Sequence, residues 1–336
     1  MDMKLWMKLC LLLLFPIVLV FLSLTWGSSA ALSVWELMDH IYAVIWNSSV
    51  GLEIDETMAT ILWQVRLPRI FLTFMVGAAL AVSGTVLQAI FRNPIVDPFS
   101  LGISSGAAFG AALSMLVSAA SITLFAFSFG VLAVGITYLV SYSKTRTTLI
   151  TIVLSGMVIS GVFTAFLTVL QYMSDPYKLQ AIVQWTMGNL HTASWEKVRT
   201  SSLPIIGGIA VIVLFRWRLN LLSLGDEESM AVGVNPKKMK LLMVGLATMI
   251  TAASVAAVGM ISLYGLIVPH ITRILFGSDN RIGVFANISI GGTFLLLIDD
   301  LSRTLMPFEI PVGVFTMLLG APLFVYLIRK NAVNWN

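Results

Sequence analysis

The chain has 336 residues, of which 58% are hydrophobic and only 11% charged, and its formal net charge is +4. Soluble domains carry roughly 25% charged residues, and apolar runs of about 20 residues recur along this chain, so a large soluble protein is excluded. The single cysteine, Cys10, excludes an intramolecular disulfide and a cysteine metal cluster.

Ten apolar stretches read as membrane spans, roughly 5–26, 67–91, 100–119, 121–142, 148–172, 202–217, 240–261, 264–276, 284–305 and 311–329. Lys4 and Lys8 before Leu9–Val20 have the pattern of a signal peptide, but the run continues to about Trp26 and reads as an uncleaved first span. Between the first two spans lie residues 27–65. Within them Ser33–Trp46 reads as a short amphipathic helix with Trp35 and Trp46 at the interface. The sequon Asn47-Ser48-Ser49 matters only in a glycosylating pathway and is taken as chance.

The second span opens at Arg66-Leu-Pro68-Arg69 and carries Gly77, Ala78, Ala79, Ala81, Ser83 and Gly84. Small residues let helix backbones approach closely in lipid. Arg92-Asn93-Pro94 ends it, because proline cannot continue a helix and restrains the residue before it. Irregular backbone at the ends of apolar spans is tolerated only where protein or a water-filled path surrounds it, so this stretch suggests a transport pathway. Residues 173–200, with Trp185 and Trp195, form a second long connection. The apolar run 240–276 is split at Gly259, Gly265 and Pro269.

An even number of spans puts both termini on one side. Of the 20 lysines and arginines, all but Arg66, Arg69, Lys178, Lys197, Arg199 and Arg303 then share the side of the termini. Such an excess marks the cytoplasm, so the net charge is a topology signal and needs no nucleic-acid partner. The largest inner connection contains Leu222–Pro236. Asp226, Glu227 and Glu228 suit the first turn of a short helix, Gly233 marks its stop, and Pro236 opens the next element. This acidic helix reads as a docking element on the inner face.

Other chemistries find little support. His40, His191 and His270 are the only histidines and fall on different sides, so His270 reads as structural rather than as a metal ligand. Asp299 and Asp300 suggest a proton relay, but Arg303 on the same helix favours a local ion pair. An ion-coupled secondary transporter needs charges at mid-membrane, and the few present lie near span ends. A membrane enzyme using His270 and Asp300 would need both on one side. No glycine-rich loop ending in Gly-Lys-Ser/Thr is found, so the chain has no phosphate loop of its own.

Together these residues resemble the permease subunit of type II ABC importers, the family that takes up ferric siderophores, haem and cobalamin. The resemblance runs through Arg66-Leu-Pro-Arg69, Gly77–Gly84, Gln88 with Arg92-Asn-Pro94, Asp97-Pro98, Leu101-Gly102 and Gly106-Ala107. It continues through Trp185-x-Met-Gly188, Leu224-Gly225-Asp226 with Gly233, and Gly265–Pro269-His270-x-x-Arg273. Asp300-x-x-Arg303, Glu309-Ile-Pro311-Val-Gly313 and Gly320-Ala-Pro322 complete it.

The resemblance implies an all-α polytopic membrane protein, a single permease domain over 1–336 with an inverted repeat. It implies a homodimer in the bacterial inner membrane, with lipid around it and both termini in the cytoplasm. Two cytoplasmic ATPase subunits would bind ATP and Mg, leaving no cofactor in this chain, and an external binding protein would deliver the iron chelate or cobalamin. Arg66, Arg69 and Arg303 would dock that binding protein. Gly225, Asp226, Glu227, Ala231, Gly233 and Val234 would couple to the ATPase. Asn93 and Ile95, with Thr147 and Thr148, would gate the pathway, and Gly156, Ser160 and Gly161 would line it.

Overall fold

The structure is a computed structural model and describes residues 3–26, 56–118, 121–142 and 149–331. The stretch Ser33–Trp46, the sequon at Asn47, and Thr147 and Thr148 lie outside the described residues. All regular structure among the described residues is helical. The helices are α1 (Met3–Thr25), α2 (Leu67–Phe91), α3 (Ile103–Leu116), α4 (Ile122–Ser141), α5 (Leu149–Met173), α6 (Pro176–Thr186), α7 (Trp195–Leu224), α8 (Asp226–Ala231), α9 (Pro236–Val258), α10 (Tyr264–Phe276), α11 (Asn280–Thr304) and α12 (Val312–Asn331). Each of the ten predicted apolar stretches coincides with a helix. Among the described residues six helices are long and apolar enough to cross a membrane, and four apolar stretches are shorter.

Helix α2 is the centre of the bundle. It carries no ionised residue between Ile70 and Phe91, and a helix apolar all round belongs in an interior. Its side chains from Val76 to Ile90 are buried, and α7, α9, α10 and α11 pack around it. The small residues set this distance. A methyl group added at Gly77 would collide with the Gly291 carbonyl on α11, and one at Gly84 with the Gly265 carbonyl on α10. Two backbones touch directly, as expected where packing holds helices together. Gly106 and Gly110 do the same for α3 against α4, each facing a phenylalanine carbonyl at 2.5 Å from the position a Cβ would take.

Two boundaries differ from the sequence reading. The second span does not begin at the Arg-Leu-Pro-Arg motif: a helical turn at Glu56–Thr60 and a π-helical turn at Ile61–Arg66 run directly into α2. Pro68 sits at the start of α2, just after that change of register, where its missing amide is tolerated. Helix α7 is far longer than the predicted 202–217, with 30 residues from its Ser194 cap to Gly225. Hydropathy delimits what suits lipid, whereas caps delimit the helix.

Of the predicted breaks only Gly259 is present, since Gly265 and Pro269 lie inside α10. Helix α9 ends at Gly259 with φ of +79°, and Leu263 at φ +63° turns the chain into α10. Nearby, Gly313 N donates to Gly188 O at 3.1 Å and Asn189 N to Val258 O at 2.8 Å, so three connections meet backbone to backbone. At the periphery, α5 turns Ile150, Leu154, Met157, Val158 and Phe166 outward.

Candidate functional site

One end of the bundle, the one expected to lie outside, is a closed electrostatic assembly. Arg69 donates to Asp299 at 2.8 and 2.9 Å and to both oxygens of Glu309 at 3.0 Å. This fork ties α2 to α11 and to the turn before α12. Arg303 pairs with Asp300 one turn back on α11 and donates to Ser23 O of α1 at 3.2 Å. Ser23 Oγ donates to the other oxygen of Asp300, and Arg66 donates to Leu24 O. Burial raises the Glu309 carboxyl, but the hydrogen bonds and charge of Arg69 outweigh this and hold it below its ordinary range. Arg66, Arg69 and Arg303 are only 2%, 8% and 6% exposed. Their charges are therefore given to this chain's own groups, and the local pair is the arrangement Arg303 adopts.

The opposite end, expected to lie inside, is half-solvated. Arg92, the C-cap of α2, adopts the left-handed conformation at φ +49°. Its Nη2 donates to Asp226 Oδ1 at 2.9 Å and its Nε to Leu222 O at 3.2 Å. Lys240 Nζ donates to the same Asp226 oxygen at 2.6 Å. Asp226 opens α8, the predicted short acidic helix, with Glu227 and Glu228 in the same turn. Buried Ser229 anchors that helix by donating to Gly225 O at 2.6 Å and Leu221 O at 3.0 Å. Gly233 follows at φ +81°, and Asn235 caps α9 by accepting from Lys238 N. Ala231 and Gly233 are exposed, while Val234 is packed into the core.

The loop after α2 is pinned by Asn93, whose side chain accepts from Ile95 N at 3.0 Å, leaving Ile95 51% exposed. On α5, Gly156 lies against the Ser100 carbonyl, whereas a Cβ at Gly161 would meet nothing within 4 Å. Ser160 approaches the turn at Gly102. Sequence reasoning missed the feature these inner elements surround. A cavity of about 500 Å³ lies between α2, α7, α10 and α11. Gln88 lines it from α2 and Arg92 and Asn93 from the loop that follows, Asn220 and Ser223 from α7, Thr272 and Arg273 from α10, and Asp279 and Asn287 from the cap and body of α11. Polar residues recurring inside apolar helices were the available signal.

Such a molecule is a polytopic helical membrane protein with buried ion pairs closing one end, half-exposed ones at the other and a short acidic helix beside a loop at that second end. Comparison with known proteins agrees. The family model described as the FecCD transport family matches residues 12–330. The molybdate import system permease protein MolB of Haemophilus influenzae is 39% identical, covering 88% of this chain and 89% of MolB. The hemin transport system permease protein HmuU of Yersinia pestis is 37% identical, with 94% of each chain covered. A solved inward-facing transporter described as of metal-chelate ABC type superposes with a TM-score of 0.84 at 36% identity, covering 95% of this chain and 97% of its own. The chain belongs to the FecCD transport family and is a permease of an ABC importer.

Proposed function

We propose that two copies of this chain form the pathway of an ATP-driven importer in an inner membrane, with both termini in the cytoplasm. The lysine and arginine distribution supports that orientation. The ATP chemistry belongs to two cytoplasmic ATPase subunits and the cargo is delivered by an external binding protein. The observation that carries the reading is α8, a short acidic helix anchored by Ser229 and joined through Asp226 to Arg92 at the base of the gate loop. Motion imposed on α8 by the ATPase passes through Asp226 to Arg92, and thence to Asn93 and Ile95. A ligand shifts only an equilibrium with which it interacts differentially, and this linkage supplies the contact. The buried arginines Arg66, Arg69 and Arg303 brace the face on which the binding protein sits. Gly156, Ser160 and Gly161 line the path on α5.

The cargo we favour is a ferric siderophore or another iron chelate, with haem and cobalamin in the same class. Relatives named for hemin and cobalamin import support the class. Molybdate is the second reading, favoured by the likeness to MolB.

The test is uptake into vesicles holding permease, ATPase and binding protein, with labelled ferric siderophore and labelled molybdate in parallel. Gly233→Trp and Asp226→Arg are expected to insert and to bind the external partner while uptake falls at least about tenfold, because a bulky residue is strained at positive φ. Full transport by both variants sinks the coupling role of α8. Uptake without ATP hydrolysis sinks the importer reading.

A further inference from the structure

The inner cavity has a chemical character that the pathway residues do not explain. Its floor is polar and buried: Thr85, Gln88, Thr272 and Asn287 are all under 9% exposed. These groups already have partners within the chain. Thr272 Oγ1 donates to Asn287 Oδ1 at 3.1 Å, Asn287 Nδ2 to Gly283 O at 2.8 Å, and Thr85 Oγ1 to Ala81 O at 3.1 Å. A polar floor of this kind repels a lipid tail, since polar groups facing hydrocarbon are costly.

The walls are cationic. Arg92 and Arg273 line it together with Asp279, the one carboxylate among the lining residues. Asp279 is exposed at the rim and already engaged. It accepts from Arg281 N at 2.8 Å and Asn220 Nδ2 at 2.6 Å, and these bonds hold its carboxyl below the ordinary range. Arg92 spends one arm on Asp226. Arg273 differs from Arg69 and Arg303 of the outer end. Arg69 and Arg303 each have a carboxylate partner. Half-buried Arg273 pairs, among the described residues, only with the neutral Oε1 of Gln88, whose Nε2 is directed to Gly265 O at 3.4 Å. A guanidinium drawn out of water without a carboxylate is costly. Its planar fork matches the oxygens of a phosphate group in a bidentate way. At about 30 Å³ per water, the cavity of about 500 Å³ holds an oxyanion together with its hydration shell.

We propose that this cavity binds an oxyanion of the phosphate class, free or as a lipid headgroup, on the Arg273 guanidinium, with Arg92 completing its shell. The ligand touches the Arg92-Asn93-Pro94 loop and Ser223 at the root of α8 at once. Under the coupling reading above, on which this consequence alone rests, occupancy holds the gate loop against the coupling helix.

The experiment is equilibrium binding of labelled inorganic phosphate to the purified full chain in neutral detergent, with chloride matching the ionic strength. Wild type is expected to bind about one equivalent saturably, and Arg273→Gln to bind at least about tenfold more weakly, the loss of roughly one charge-assisted hydrogen bond. Gly283→Asp places a new carboxylate on the cavity wall where a Cβ meets nothing within 4 Å. It is expected to abolish binding, while Gly283→Ala retains it, and these two variants decide the matter if Arg273→Gln does not fold. Competition by phosphatidylglycerol, but not by a phosphate-free glycolipid, identifies the headgroup as the source; phosphate binding indifferent to lipid identifies the free anion. No saturable binding by wild type, or equal binding by Gly283→Asp and Gly283→Ala, overturns the proposal. Because no transport is measured, this result stands apart from the success or failure of the importer reading.

Discussion

The two ends of the bundle use arginine in opposite ways. At the outer end Arg69 and Asp299 are 9% and 2% exposed at the side chain, and Arg303 and Asp300 are 5% and 0% exposed. At the inner end Arg92, Asp226 and Lys240 are 43%, 47% and 28% exposed around a single shared oxygen. Buried pairs of good geometry resist separation, because parting them strands a charge away from water. Half-exposed pairs are screened and cost little to break. One end is built to stay assembled and the other to exchange partners.

The sharpest way to break this contrast is Asp299→Asn. It leaves Arg69 buried with Glu309 alone, and the expected loss is about 3–5 kcal/mol, read as a lowered thermal unfolding midpoint in detergent. An effect below about 1 kcal/mol would make the outer end no firmer than the inner one. Next in size is Asp226→Asn, which removes the shared acceptor of Arg92 and Lys240. The exposed geometry limits its effect on stability to about 0–1 kcal/mol, shrinking further at high salt. A larger, salt-insensitive loss would place that network among the structural ones.

The smallest effect is in the pH dependence. Glu309 has its pKa lowered in the folded chain, so its contribution is complete above the unfolded value and is lost as pH falls through the folded one. Wild type is expected to lose this increment only below the ordinary glutamate range. Glu309→Gln should flatten that part of the stability–pH curve and leave neutral and alkaline pH unchanged apart from a constant offset.

What was legible in the sequence follows interaction range. The helices were readable because apolarity and Gly-Pro punctuation are local. Gly259 and Gly233 mark breaks because only they adopt positive φ without strain there. The pairing of Arg303 with Asp300 was readable because three residues on a helix share a face. Arg69 with Asp299 was not, since nothing in the chain announces a partner 230 residues away. The cavity escaped notice because Gln88, Arg273 and Asn287 come from three different helices. Each alone is one polar residue in an apolar run.

The clasp between Ser23 and Asp300 also bears on how the protein is made. Its halves lie 277 residues apart, and a ribosome adding about 5–20 residues per second needs roughly 14–55 s to cover that distance. Throughout that interval α1 stands in the bilayer without α11, its principal packing neighbour. Its sequence is accordingly nearly all Leu, Phe, Val and Ile between Leu9 and Leu22, a helix able to wait alone in lipid, with the one hydroxyl that matters held back to its outer tip.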